Sequence, residues 1–149
     1  MKRVLFALLI SCAVFSFSNA QIKVSVNIGL QPIWGPTGYD HADYYYLPDI
    51  DTYYDVPNHQ FVYLSAGKWI TATSLPPQYR NYDLYGGYKV VVNQPKPWMH
   101  ADTYRKQYAR YKGYKAKQPV IRDSKETKYF EAKDHPRHGE WEKSHPDHH

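Results

Sequence analysis

Apolar and polar positions alternate strictly over the first stretch that follows a hydrophobic leader. Ile22, Val24, Val26, Ile28 and Leu30 are interleaved with Lys23, Ser25, Asn27 and Gly29. This period of two predicts a strand with one buried face, which either pairs in the domain or stays a loose arm. Residues 31–43 carry Pro32, Gly35, Pro36 and Gly38 and read as a loop. Residues 44–74 then hold three aromatic and β-branched runs separated by two turn signals. The first run, 44–55, reads as one strand, with Pro48 marking an edge or a bulge because proline cannot donate to a ladder. Val56-Pro57-Asn58-His59 is a turn, 60–65 a second strand, Ser65-Ala66-Gly67-Lys68 a hairpin turn and 69–73 a third strand.

Leu75-Pro76-Pro77 ends this meander, residues 78–85 suit one helical turn, and Gly86-Gly87 breaks it. Residues 88–93, Tyr-Lys-Val-Val-Val-Asn, form a fourth strand candidate, closed off by Pro95 and Pro97. Residues 102–112 read as a helix, with Asp102 favouring its N-terminal dipole and Gly113 as its stop. Tyr104, Tyr108 and Tyr111 share one face at i, i+4 and i+7, while Arg105, Lys106 and Arg110 point elsewhere. A helix docked on the sheet by its tyrosines follows.

The leader is a targeting segment. Lys2 and Arg3 precede an apolar run over residues 4–17, and Ser18-Asn19-Ala20 supplies small residues for cleavage before Gln21. The run is shorter than the roughly 20 residues a spanning helix requires. Leu9-Ile10-Ser11-Cys12 also fits a lipoprotein signal, in which Cys12 becomes a lipid anchor. With cleavage after Ala20 the protein is exported, periplasmic or extracellular. It then has no cysteine, disulfide or thiolate chemistry despite an oxidising compartment.

Composition limits the rest. From Lys115 onward the chain is rich in Lys, Glu, Asp, His and Pro and poor in aliphatics. Such a segment buries too little apolar surface to offset its ordering entropy, so 115–149 is predicted to be a disordered tail. The expected organisation is a signal peptide at 1–20, an N-terminal strand and loop at 21–43, and a β domain at 44–114. The fold class is mainly β within α+β: a small three- to four-stranded antiparallel meander with one C-terminal helix. Eleven of the sixteen tyrosines lie between Tyr39 and Tyr88. Tyrosine buries a large ring while its hydroxyl can stay wet, which suits a thin core with half-exposed faces.

Charge is segregated. Residues 24–67 contain no Lys or Arg but five Asp, and residues 96–117 carry seven basic residues against Asp102. Internal pairing of an acidic sheet with a basic helix is the plainer reading; a basic patch for an anionic polymer or lipid surface is the other. Nucleic acid is not an expected partner of an exported chain without a binding motif.

Pro48-Asp49-Ile50-Asp51-Thr52-Tyr53-Tyr54-Asp55, Gly67-Lys68-Trp69, Leu75-Pro76-Pro77 and Tyr82-Asp83-Leu84-Tyr85 together give a pattern. It resembles that of uncharacterised small secreted or periplasmic proteins of Bacteroidota-type bacteria over residues 44–97. The resemblance implies an envelope location and no particular activity. The meander also faintly resembles a WW domain, but the spaced Trp pair is missing, so proline-peptide binding is not implied.

Several constellations suggest chemistry. Asp49, Asp51 and Asp55 offer oxygen ligands for Ca²⁺ without a glycine-bearing loop; a solvated strand face that deters edge pairing is the alternative. An exposed aromatic face containing Tyr53, Tyr63, Trp69 and Trp34 would stack on sugar rings, and cross-strand core packing competes with it. The tail histidines His135, His138, His145, His148 and His149 suit weak Zn²⁺, Cu²⁺ or Ni²⁺ binding, or a solubilising tail. His41, His59 and His100 lie among Asp and Ser, but no nucleophile elbow, phosphate loop, dinucleotide fingerprint or zinc-helix motif occurs. The expectation is a non-catalytic envelope module, structural or interacting, without a cofactor. Its candidate ligand-binding residues are Tyr53, Tyr63 and Trp69, with an envelope glycan or another envelope protein as partner.

Overall fold

A computed structural model describes residues 26–114 and 116–146. Its centre is a five-stranded antiparallel sheet: β1 (Tyr44–Leu47), β2 (Thr52–Asp55), β3 (Gln60–Ser65), β4 (Lys68–Ala72) and β5 (Val90–Val92). The spatial order is β4-β3-β2-β1-β5, a four-stranded meander whose first strand also receives β5. One helix, α1 (Ala101–Tyr108), follows the sheet, extended by a 3-10 turn at Ala109–Tyr111. A second helix, α2 (His138–Ser144), lies near the C-terminus.

The run 44–55 is two strands, not one. Leu47 pairs with Thr52, and Pro48-Asp49-Ile50-Asp51 forms the loop between them. Pro48 cannot donate, the Ile50 N–H turns back to the Leu47 carbonyl at 3.3 Å, and Asp51 takes φ 48°. Aspartate tolerates that left-handed conformation better than most side chains. The next loop repeats the device, ending in His59 at φ 53° before Gln60 pairs with Asp55. The β3–β4 hairpin closes on two residues, Ala66 and Gly67, at φ 48° and 75°. Positive φ at both positions is the geometry that matches strand twist.

Side chains alternate across the sheet. Tyr46, Tyr53, Val62 and Val92 face α1 and meet Tyr104, with Tyr108 packed alongside. Tyr45, Leu47, Tyr54 and Phe61 face the other way, under Trp34, Leu75 and Leu84. The helix therefore docks by its tyrosine face. The rings are not half-exposed as expected: Tyr45, Tyr46 and Tyr53 are fully buried. The Tyr45 hydroxyl donates to Gln31 Oε1 at 2.8 Å and the Tyr46 hydroxyl to Asp51 Oδ1 at 3.1 Å. Tyrosine replaces aliphatic bulk, at about 150–250 Å² buried per ring.

Two further expectations fail. Residues 28–30 form a 3-10 turn instead of continuing a strand, with Ile28 buried and Val26 and Leu30 exposed. The Asn27 amide brackets Ala42, donating to its carbonyl and accepting from its N–H, and so turns the chain out of strand geometry. Residues 22–25 of the expected strand lie outside the described residues.

The segment 116–146, expected to be disordered, is built into the domain. Its backbone pairs with the N-terminal loop: Ile121 N–H donates to Gly35 O at 2.9 Å, Arg122 N–H to Ile33 O at 2.8 Å and Thr37 N–H to Pro119 O at 3.1 Å. Ile121, Tyr129 and Ala132 form a buried cluster with Ile28. The Tyr129 hydroxyl accepts from the Gly38 N–H at 2.6 Å. Few apolar residues suffice because they converge on one place.

Candidate interaction surface

The three residues singled out as a ligand face do not share one. Tyr53 is fully buried between Tyr46, Trp69, Trp98 and Tyr104, so it offers no face to a sugar. Tyr63 pairs across from Thr52 and Ile70 and packs on the opposite side of the sheet. Trp69 lies opposite Leu64 on the α1 side, half-buried. Trp34, the fourth aromatic candidate, packs edge-on against Tyr45 and Tyr54.

Trp69 and Leu64 form one wall of an open groove of about 400 Å³. The facing wall comes from the 3-10 turn Pro97–His100 and the first turn of α1, with Trp98, Met99 and Thr103 lining it. Met99 is 67 % exposed and Leu64 43 %. Pro97 presets this turn, and the Lys96 backbone at φ 47° swings the chain from β5 over the sheet face. Trp98 meets Tyr44 and Tyr53 edge-on at 5.6 and 6.3 Å, which seats the turn. In the sequence Pro95 and Pro97 mark only the end of a strand, and nothing assigns Trp98-Met99 a role. The signal was two large apolar residues placed at a helix entry.

The groove runs beside an unpaired sheet edge. In a two-residue hairpin the flanking residues, Ser65 and Lys68, exchange hydrogen bonds. Alternation then directs the N–H and C=O of Trp69 and Thr71 away from β3, and no other described segment pairs with them. The opposite edge is shorter and partly closed. The Gln118 side chain accepts from Lys89 N–H at 3.0 Å and donates to Lys89 O at 2.9 Å, imitating one residue of a neighbouring strand. β4 carries one charged side chain, the exposed Lys68 at its start, and contains no proline or bulge over Trp69–Ala72, so most of the edge lacks the devices that usually protect one.

One polar group beneath the groove is unusual. The Tyr53 hydroxyl is buried without a hydrogen-bond partner among the described residues. Burial, then the neighbouring Tyr46 and Asp51, push its phenol far above the ordinary value. His41 Nδ1 and His135 Nε2 are likewise buried without a hydrogen-bond partner among the described residues, and Lys89 is a further buried polar group. Its ammonium donates to the carbonyls of Leu84 and Tyr85 at 2.9 and 3.2 Å, and burial lowers its pKa to about 8.

The carboxylates are structural ties. Asp49 accepts from the Tyr82 hydroxyl at 2.8 Å and the Gly113 N–H at 2.5 Å. Asp51 accepts from Tyr46 and from Arg105, and Asp55 from the Asn58 backbone and side chain. The pairing of Arg105 with Asp51 and of Lys128 with Asp40 joins basic and acidic segments directly.

The histidines are separately engaged. His135 is buried against Phe130, and its Nδ1 accepts from the Arg137 N–H at 3.0 Å. His138 Nδ1 donates to the Phe130 carbonyl at 2.8 Å, and its Nε2 lies 3.5 Å from Glu142. His145 stacks on Trp141. His148 and His149 lie outside the described residues. Among the described residues no three His, Cys, Asp or Glu come together as a metal site. His41 Nε2 lies 3.0 Å from Asp43, and His59 Nδ1 lies 3.1 Å from the Tyr54 hydroxyl. Neither pair has a serine or threonine hydroxyl bonded to it among the described residues.

No helix among the described residues is long and apolar enough to cross a membrane. Comparison with protein-family models, curated proteins and solved structures finds no match to this chain.

Proposed function

We propose that this chain is a non-catalytic interaction module of the cell envelope. It takes an extended segment of another envelope protein along the open edge of β4. The observation that carries this reading is the juxtaposition at one place of unpaired Trp69 and Thr71 backbone groups with an open groove, in which Leu64, Trp69, Trp98 and Met99 are flanked by the polar His100, Asp102, Thr103 and Arg105. Strand addition uses such an edge for its hydrogen bonds and such a groove for selectivity, because alternate side chains of the added strand fall on one face. An apolar side chain of the partner would lie between Leu64, Trp69, Trp98 and Met99. The envelope location rests on the leader, with its cleavage after Ala20 or lipidation at Cys12, and on the Bacteroidota-type resemblance.

A glycan is the second reading, favoured by one observation: two indoles, Trp69 and Trp98, line the same open groove. Binding of the purified protein to solubilised envelope protein and to peptidoglycan sacculi separates the two. Strand addition predicts binding to the protein fraction that is lost after protease treatment of that fraction and lost with Thr71→Pro. Retention on sacculi by Thr71→Pro would replace it with the glycan reading, and no binding to either would overturn both. The substitution suits the test because the Thr71 N–H makes no ladder bond, so proline there blocks a neighbour without breaking β3–β4.

A further inference from the structure

The tyrosines at the far end of α1 are arranged differently from those in the core. Tyr88, just before β5, and Tyr111, at the end of the 3-10 turn after α1, lie ring on ring. Their centroids are 4.2 Å apart and their planes parallel. Tyr114 stands edge-on to both, at 5.4 and 5.6 Å. None of these three belongs to a buried cluster. Tyr114 is 44 % exposed and the stacked pair half-buried. The Tyr111 hydroxyl accepts from Arg110 Nη2 at 3.0 Å. Burial and the neighbouring Tyr111 raise the Tyr88 phenol above its ordinary value, so at neutral pH that ring is a phenol with a proton to lose.

We propose that Tyr88 and Tyr111 form an oxidative cross-linking site, joined as a dityrosine by a one-electron oxidant of the peroxidase and peroxide class. Each phenol gives up one electron and its hydroxyl proton to become a phenoxyl radical. The two radicals form a carbon–carbon bond between ring positions ortho to the oxygens. The hydrogen on each bonded ortho carbon then shifts to its phenolic oxygen, restoring both aromatic rings. Two phenols have lost two electrons and two protons, and one peroxide has become two waters.

Geometry selects this pair. Radical coupling requires two rings to meet before either radical is quenched, and a stacked pair already in contact meets with a small slide of one ring. Among the described residues the exposed Tyr79 has no aromatic neighbour, Tyr114 approaches by its edge, and the stacked Tyr104 and Tyr108 rings stand 6.0 Å apart. The bond would tie the entry of β5 to the end of the helical segment, closing the β5–α1 connection covalently. No cysteine occurs among the described residues, so a disulfide cannot do this there.

The test treats the full-length protein, at low concentration, with horseradish peroxidase and hydrogen peroxide. Dityrosine fluorescence, intact mass and a peptide map are the readouts. The expected product is monomeric, lighter by two hydrogen atoms, with one cross-link joining the peptides that contain Tyr88 and Tyr111. Tyr88→Phe and Tyr111→Phe keep the stack and abolish that cross-link, while Tyr79→Phe leaves it unchanged. Cross-links spread over Tyr39, Tyr79 and Tyr114, cross-links between molecules, or a Tyr88→Phe product like that of the parent would overturn the proposal. An unreacted parent protein would do the same.

Discussion

Arg105 of α1 donates to the Asp51 carboxylate at 2.6 Å, and that contact fixes the helix over the β1–β2 turn. The same carboxylate takes the Tyr46 hydroxyl, so one side chain ties the turn, the core and the helix. Asp51 also stands at φ 48°, where most side chains are strained. Asp51→Ala should therefore lose about 2–3 kcal/mol, combining backbone strain with a lost acceptor for a buried hydroxyl. Asp51→Asn keeps the conformation and an acceptor, and should lose about 1 kcal/mol or less, since the Arg105 pair is a third exposed. Denaturant unfolding of both variants checks the ratio.

Tyr53 and Tyr46 lie ring against ring, at 4.9 Å, but differ in their hydroxyls. Tyr46 has an acceptor and Tyr53 has none among the described residues. Removing a buried hydroxyl without a partner relieves its desolvation cost, whereas removing a bonded one strands its partner. Tyr53→Phe should be neutral or more stable by up to about 1 kcal/mol, and Tyr46→Phe less stable by about 1–2 kcal/mol. Thermal melts of the pair measure this, and a large loss in Tyr53→Phe would contradict it.

How much of this was legible follows from how local each signal is. The strands at 60–65 and 68–72, the Ala66-Gly67 turn and the tyrosine face of α1 each depend on residues within a few positions of one another. The β1–β2 turn was hidden because Ile50 sits inside it and made Pro48-Asp49-Ile50-Asp51 look like interrupted strand. Placing Tyr53 and Trp69 on one face and Tyr63 on the other needs the register across both hairpin loops. The order of the C-terminal segment is hidden because its composition averages out the few apolar residues, Ile121, Tyr129 and Ala132, that cluster with Ile28 once residues 119–122 pair with residues 33–37. The groove is invisible in the sequence for the same reason: Leu64 and Met99 line one groove only in the folded chain.

Loss of that C-terminal segment should therefore destabilise the whole domain. Tyr129→Ala removes a fully buried ring and should cost about 3–5 kcal/mol. Tyr129→Phe removes only the acceptor for Gly38 N–H and should cost about 1–2 kcal/mol. A tail-deleted form lacking residues 115–149 that melts like the full chain would refute this packing.

Lys89 and the buried tyrosines set opposing slopes with pH. The folded pKa of Lys89, about 8, lies below its ordinary value of 10.5, so between these values the unfolded chain binds more protons. Stability should rise as pH increases from about 8 towards 10. Tyr45, Tyr46 and Tyr53 are raised above the ordinary 10.0, so the folded chain holds their protons longer. Their contribution is fully present below about pH 10 and is lost as pH rises beyond it. The expected curve climbs from about pH 8, peaks near pH 10 and then falls. Lys89→Met should flatten the climb and leave the alkaline fall in place, as read from denaturation midpoints across pH.

Site-specific photocrosslinking at β4 tests the central claim most directly. A photoreactive phenylalanine analogue at position 71, and separately at the exposed position 80 as a control, is activated in intact envelopes. Adducts are then mapped by peptide mass. The account predicts a discrete adduct from position 71 only, formed with an extended protein segment and eliminated by Trp98→Ala, which opens the groove wall. Equal labelling from positions 71 and 80, or no adduct from position 71, would contradict it.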